Sequence, residues 1–479
     1  MTKDAIAALP ASLLQLLAPL AVLLRPRNFE NFLTAMVGWI LSRGRHTVSG
    51  ALRAHGPAGV RKHHSALYDF FSRARWSPDL LGEALFGMLL PRLPGMIHVL
   101  IDDTLCRKSG AHIWGAGMHH DAVASTYGRF GATARHVAFA FGHNFVVLAL
   151  WIPLPWNQSG IALPILFRLY RSKKLTPKSE YKKRTELSRE LLDVLRGWNE
   201  DQGTGKRILV LADSEYSCKT LMGEKPEDVD FLGPLPKNAA IFGRPPPHKK
   251  GRGAPRKKGD RLPSPNEWAK DESPWRKIRV PMYGKLVTIL IKTRICLWYG
   301  VTKTRLVRVV LTRDPTGRLE DRAFFSTDPK IPPRLLLAIY SRRWPLEVTF
   351  HDVKQFLGLE DPQNGWWRRN PGSRNPKKKA GPNAKGDRGR KAVERTVPAI
   401  FFTYTLVYLW YLDHGQPERD ATRAHASAPW YQGRKTPSFA VILAALRWEI
   451  LRGRIQANPD LARVSREIEQ VLHEQLRAA

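Results

Sequence analysis

The chain has 479 residues, with 77 Lys+Arg against 42 Asp+Glu and a formal net charge of +35. That length buries a sizeable core over two or three domains, and a charge of that sign and size points to a polyanionic partner, nucleic acid ahead of an anionic membrane surface. Three scattered cysteines (Cys106, Cys218, Cys296) argue against a disulfide framework and a Cys-x-x-Cys zinc site, and fit a reducing cytosol.

Residues 1–94 read as helical. Apolar residues recur at helical spacing from Phe32 to Leu41 and from Leu80 to Leu90. Leu13 to Leu24 is too short to span a membrane, and no small-residue cleavage site follows it. Between the two periodic runs, Thr47 to Ala54, a break at Gly56-Pro57, and Lys62 to Ala74 have helix-turn-helix spacing. Arg61, Lys62, His63, His64, Tyr68, Arg73 and Arg75 could there face a DNA groove; a helical bundle with a basic surface fits equally well.

From Pro94 the pattern changes to strands. His98 to Asp102 and Arg207 to Asp213 are apolar runs that end in a carboxylate, and strand-like runs also cover His136 to Phe141 and Asn144 to Ile152. Glu180 to Trp198 is helical, and another helix begins near Glu215. This order predicts a mixed α/β core. Residues 235–275 carry Arg244, Lys249, Lys250, Arg256, Lys257 and Lys258 among Pro and Gly, a composition that does not pack. Strands resume at Ile278 to Val287, Thr288 to Tyr299, Leu306 to Thr312 and Arg322 to Thr327, followed by a helical stretch from Pro332 to Leu359. A second basic loop, Trp366 to Lys391, contains Lys377 and Lys378. Helices from Ala392 to Leu412, Ser438 to Gly453 and Pro459 to Arg477 close the chain. Val397 to Leu412 includes Thr403, Tyr404 and Thr405 and reads as a core helix.

The chemistry concentrates in Tyr340-Ser-Arg-Arg-Trp-Pro-Leu-Glu-Val-Thr-Phe-His-Asp-Val-Lys354. At about 100° per residue, Tyr340, Arg343, Glu347 and Lys354 share one narrow helical face. An acid beside two cations and a phenol suits a metal ion and a phosphodiester; an amphipathic helix with a solvated charged side has the same pattern. Pro345 removes one helical hydrogen bond and predicts a division into two helices, with Glu347 and Lys354 both after it. Two-metal phosphodiester cleavage needs carboxylates converging on ions about 3.5–4 Å apart, and Asp102 and Asp213 at the rim of a sheet would join Glu347 there. Carboxylate oxygens suit Mg²⁺ or Mn²⁺.

Asp102-Asp-Thr104, Asp213-Ser214 and Tyr-x2-Arg-x3-Glu-x6-Lys together resemble the DDE transposases of bacterial insertion sequences, and the last motif resembles the insertion-sequence-four-like group. Ala212-Asp-Ser-Glu-Tyr216, Phe325-Ser-Thr-Asp328, Arg343-Trp344 and Val353-Lys-Gln-Phe-Leu-Gly-Leu-Glu-Asp-Pro362 support the likeness, which covers roughly residues 60–365. The resemblance implies an α/β fold: an RNase H-like mixed sheet with helices, interrupted by a β-rich insertion, plus helical N- and C-terminal regions. It implies Asp102, Asp213 and Glu347 as catalytic ligands of two Mg²⁺ ions (Mn²⁺ possible), with Asp103 an alternative to Asp102. Arg343, Lys354 and Tyr340 would contact the DNA backbone.

Among Trp275, Trp298, Trp366 and Trp367, the likeness favours Trp298 for stacking on a distorted base, while its place in a strand makes core packing the stronger reading of the same residue. Arg256, Lys257, Lys258, Lys377 and Lys378 are expected along DNA. His119, His120 and Asp121 read as loop residues or DNA contacts, and Lys108 as a phosphate ligand or a solvated loop lysine. The expected layout is a helical DNA-binding/dimerisation domain (1–94), a catalytic core in two parts (95–235 and 331–365), a basic loop and β-rich insertion (236–330), a basic linker (366–391) and C-terminal helices (392–479). The expected function is end binding, cleavage and joining of 3′-OH ends to double-stranded target DNA by a cytoplasmic, nucleoid-associated homodimer. A catalytically inactive DNA-binding regulator and an RNase H-like nuclease without strand transfer are the alternatives.

Overall fold

The computed structural model describes residues 9–56, 62–109, 113–121, 123–125, 137–247, 254–362, 386–426, 428, 430, 435–456 and 474. Helices at Ala11–Ala21, Pro26–Leu41, Val48–Ala54, His64–Ser72 and Pro78–Leu89 open the described chain. Their boundaries follow local chemistry: the Thr47 hydroxyl accepts from the Gly50 amide, and Pro78 occupies the first turn after the Ser77 cap.

The strands are β1 (Ile97–Arg107), β2 (Gly117–His120), β3 (Phe139–Leu154), β4 (Asn157–Tyr170), β5 (Ile208–Ala212), β6 (Val229–Leu235), β7 (Ile241–Phe242), β8 (Arg261–Leu262), β9 (Arg276–Met282), β10 (Lys285–Leu297), β11 (Leu306–Arg313) and β12 (Arg322–Ser326). They form one sheet in the order β2-β3-β1-β5-β6-β12-β11-β10-β7-β8, with β4 also on β3 and β9 also on β10. Antiparallel β4, β3 and β1 are followed by β5 and β6, which run parallel to β1. Helix Arg184–Asp201 makes the crossover from β4 to β5 and packs on β3 and β4. This is the mixed α/β, RNase H-like architecture expected. All five residues of β5 are buried, as a central parallel strand covered on both faces requires.

The insertion is β-rich, and its strands continue the core sheet, because β12 pairs with β6. Gly233 on β6 sits in that seam, where a Cβ would lie 2.7 Å from Ser217 Oγ. The expectation that 235–275 does not pack is corrected for part of its length: Ile241, Trp268 and Ala269 join the main core. Two expected strands at 136–152 are one long strand, β3; His136 lies outside the described residues. The expected helix near Glu215 is a turn followed by the short helix Lys219–Met222.

One face of the β5/β6/β12 region is covered by helix Pro333–Tyr340, whose Leu336, Leu337 and Ile339 pack on Leu211, Leu232 and Phe324. Helices Pro78–Leu89, Trp344–Phe356 and Asp387–His414 pack against β4. The last of these is a core helix, as expected, buried from Thr396 to Tyr411, and Arg395 Nη1 donates to Phe71 O. No helix of the described residues is long and apolar enough to cross a membrane. Helix Phe439–Gln456 follows, and the expected helix from Pro459 lies outside the described residues except for residue 474.

Helix Pro78–Leu89 meets β4 at Gly82, where a Cβ would lie 2.2 Å from the Ile165 carbonyl oxygen. Gly82→Ala should therefore force the layers apart and lower unfolding stability by about 1–3 kcal/mol, read from equilibrium urea denaturation.

Candidate active site

The pairing of β1 with β5 runs from Ile97↔Ile208 to Ile101↔Ala212 and stops there. β1 continues to Arg107 on β3 alone, so Asp102 does not end its strand, as the sequence led us to expect; it lies where β1 loses its parallel neighbour. Asp213, the residue after β5, lies beside it. The rim at which β5 ends thus brings the two carboxylates together.

Strand alternation sends Asp102 and Asp103 to opposite faces. Asp103 is fully engaged: it accepts from Asn144 Nδ2 at 2.6 Å, Arg184 Nη1 at 3.1 Å and the Tyr216 hydroxyl at 3.0 Å. Asp102 accepts from the Asp103 amide at 2.8 Å and from Arg343 Nη1 at 3.0 Å. Asp213 Oδ1 accepts from the amides of Glu215 and Tyr216, at 2.8 and 3.2 Å. Buried Tyr216, which closes the Ala212–Tyr216 phrase but carried no expected role, therefore ties Asp213 to Asp103. Burial first, and then the Asp213 charge, push the Asp102 carboxyl up to about 7, against the pull of Arg343.

The segment carrying Glu347 divides as Pro345 predicts: helix Pro333–Tyr340, a 3₁₀ turn at Ser341–Arg343, and helix Trp344–Phe356. Pro345 falls in a first turn, where no intrahelical N–H is needed. Ser341, Arg343 and Trp344 nevertheless keep helical dihedrals, so the direction of the chain is preserved across the joint. Arg343 donates to both Asp102 and Glu347. Burial opposes the Arg343 charge, and Asp102 and Glu347 more than offset it, so its pKa lies above the ordinary value. Tyr340 packs against Phe324 with its ring tilted, centroids 4.5 Å apart, and its hydroxyl pKa is raised by burial. Lys354 faces Cys106 on β1 and has no hydrogen-bond or ion-pair partner among the described residues.

No group of three His, Cys, Asp or Glu side chains among the described residues is close enough to hold a metal ion. Arg343 is the cation that bridges Asp102 and Glu347. By donor chemistry, Asp102 and Asp213 fit a hard divalent ion, which would relieve their mutual repulsion.

Other expected site residues are placed differently. Trp298 is 6% exposed and packs edge-on against Phe325, 5.2 Å between centroids, so it is a core side chain and not one presented to a base. Trp275 is flanked by Lys292 and Arg313. Arg256 pairs with Asp260 at 3.0 Å, Lys258 lies 4.1 Å from the Phe242 ring centroid, and Lys257 is exposed. Lys62 is held by Glu30 and Asn31, and His119 and His120 belong to β2 rather than a loop. Arg61, Lys249, Lys250, Trp366, Trp367, Lys377 and Lys378 lie outside the described residues.

Lys108 is neither a phosphate ligand nor a solvated loop lysine. It is 7% exposed, and its Nζ donates to the carbonyls of Leu359, Glu360 and Pro362 at 3.4, 3.1 and 2.7 Å. The Arg107 amide donates to Glu360 Oε1 at 2.9 Å, and the His46 amide to Asp361 Oδ2 at 2.6 Å. The loop after the Glu347 helix is thereby tied to the strand of Asp102 and to the N-terminal helices.

The sequence pattern of the DDE superfamily endonucleases matches residues 20–289, more than half of the chain, and the protein belongs to that family. The family supports a nuclease or transposase type of activity acting on DNA. The match includes Asp102 and Asp213 and ends before Glu347. No curated protein matches the chain.

Two measurements follow from this geometry. The Asp102 pKa is raised on folding, so its contribution to stability is fully present below the unfolded value of 3.8 and is lost as pH rises through about 7. In chelator-treated protein, the fall in unfolding free energy between pH 4 and 7.5 should be shallower for Asp102→Asn than for wild type. Lys108→Met leaves three carbonyls without their donor and should cost about 3 kcal/mol in denaturant unfolding.

Proposed function

We propose that the protein is a transposase of the insertion-sequence-four-like group. It binds the ends of its element, cleaves them by hydrolysis and joins the 3′-OH ends to target DNA. The observation that carries this reading is the meeting of Asp102 and Asp213 at one rim, with Arg343 linking Asp102 to Glu347. Asp102, Asp213 and Glu347 are the proposed ligands of two Mg²⁺ or Mn²⁺ ions. Asp102 is preferred to Asp103 because Asp103 already satisfies three donors. Bound ions of this kind activate an attacking oxygen and stabilise a leaving one.

The chain's own groups bind and orient the strand. Arg343 exchanges a carboxylate for a phosphate oxygen, Lys354 supplies an ammonium farther along the same helix, and Tyr340 supplies a phenol. In the first reaction, water bonds to phosphorus and the P–O3′ bond breaks, leaving a 3′-OH and a 5′-phosphate. In the second, that 3′-OH bonds to a target phosphorus and displaces the target's 3′-oxygen, so no protein nucleophile is consumed. The helices of 1–94 and the basic loops within 235–275 and 366–391 are proposed to lie along double-stranded DNA in a nucleoid-bound homodimer, each half holding one end.

The test is incubation with Mg²⁺ and a duplex carrying the inverted repeat that flanks the gene. Wild type should cleave it, and Asp213→Ala should lower the rate by more than about a thousandfold; cleavage that survives this change would sink the assignment. Cleavage with no joining to a supercoiled plasmid would leave a nuclease, and binding with no metal-dependent turnover a regulator.

A further inference from the structure

The turn between β9 and β10 is the two-residue loop Tyr283–Gly284, with φ of 52° and 74°. The sequence placed the boundary between these strands at Val287/Thr288; the register, Met282↔Lys285, moves it to Tyr283–Gly284. Two positive φ angles suit the right-handed twist of a tight hairpin, and Asn-Gly is the usual solution. A bulky tyrosine is disfavoured in that conformation, and such an outlier is a reason to look for a function. Packing does not explain it, since Tyr283 is 54% exposed and Leu286 beside it 61%.

The position of the tip follows from its contacts. A Cβ on Gly284 would lie 3.8 Å from Ser159 Oγ. The Ser159 carbonyl accepts from Trp151 Nε1, and Arg342 lies over the Trp151 ring at 4.1 Å. β9 packs on helix Pro333–Tyr340, and Met282, the residue before the turn, joins the same apolar cluster as Tyr340, so the tip lies beside the segment that carries Arg343. There the Tyr283 phenol feels the charges of Arg343, Arg322 and Glu347, and it also acts on Tyr340. Arg322, exposed at the start of β12, forms no ion pair among the described residues; Glu320, whose charge it feels, pairs with Lys237 instead. The outward face of the hairpin carries Lys277 and Arg279, which fits a polyanion running past the tip.

We propose that Tyr283 is a substrate-contact residue whose hydroxyl, together with Arg322, binds a non-bridging phosphate oxygen of the DNA strand lying across Asp102 and Glu347. The proposal rests on the transposase reading and adds a phosphate subsite contributed by the insertion. Two phenols and two guanidinium groups then surround one phosphodiester, Tyr340 and Arg343 from the helical side and Tyr283 and Arg322 from the sheet.

The experiment uses the full chain, Mg²⁺ and the flanking-repeat duplex, reading kcat/KM for cleavage and Kd by fluorescence anisotropy. Tyr283→Phe, which keeps the ring and removes the hydroxyl, should lower kcat/KM about tenfold, the loss expected for one hydrogen bond to a charged group. Replacing phosphates one at a time by methylphosphonate should reveal one position at which wild type and Tyr283→Phe become equal. Tyr283→Asn, better suited to the turn, should keep or raise the thermal midpoint while lowering kcat/KM, which a purely structural tyrosine would not do. Unchanged kcat/KM in Tyr283→Phe overturns the contact alone. Failure of wild type to bind or cleave the duplex overturns the proposed function and the contact with it.

Discussion

Two carboxylates placed side by side in a partly buried rim repel each other, and the fold must supply a positive charge in the same place. The parallel register of β1 with β5 imposes the first condition by putting Asp102 next to the residue that follows Ala212. Arg343 meets the second, donating to Asp102 at 3.0 Å and to Glu347 on its other side. An arginine suits this role because its planar, always-charged fork serves two acceptors at once. Even so, the Asp102 carboxyl stays well above its ordinary range, so the neutralisation is incomplete. A rim left short of positive charge has affinity in reserve for a further cation.

β1 carries both the chemistry and the means of keeping it in register. Asp102 faces the site, while Asp103 on the other face is absorbed into bonds with Asn144, Arg184 and Tyr216. Just past the strand, Lys108 holds three carbonyls of the loop that follows the Glu347 helix. One stretch of chain therefore presents the first acid, braces the turn of the second through Tyr216, and anchors the helix of the third. A displacement of β1 relative to β3 would disturb all three together.

How much of this was legible in the sequence depended on whether the signal was local. The apolar runs ending at Asp102 and Asp213 marked the two acids that the sheet brings side by side, and Pro345 marked the joint between helices, since each is a property of neighbouring residues. β4 was missed because Pro164 interrupts an otherwise strand-like run; the structure accommodates it on a strand that pairs only with β3, beside a register shift at Leu148/Ala149. β6, with Gly233 and Pro234, had the same weak local signal. Lys108 looked like a loop cation because its acceptors lie about 250 residues away in the chain. The stacking role of Trp298 came from the family likeness alone, while its place in a strand pointed to the core, where it lies. The Tyr283–Gly284 turn lacked the Asn-Gly or Asp-Gly signature that marks a tight hairpin.

The distance in sequence between Asp213 and Glu347 poses a geometric problem, which the insertion solves. β12 runs antiparallel to β6, from Ala323 opposite Leu235 to Ser326 opposite Leu232, so the returning chain enters beyond the acidic rim and heads away from it. The Thr327 hydroxyl donates to Asp230 at 2.9 Å, marking where the chain has passed below the end of β5. Helix Pro333–Tyr340 then crosses back over the sheet on Leu209, Leu211 and Phe324. It packs most closely on β9 of the insertion, whose Val280 shares a cluster with Leu336, Leu337 and Ile339, and less on β6 and β12. The turns that follow carry Arg343 to Asp102 and Glu347 to Arg343. The insertion therefore does more than lengthen the chain between the second acid and the third: its strands hold the apolar helix from which the third acid sets out.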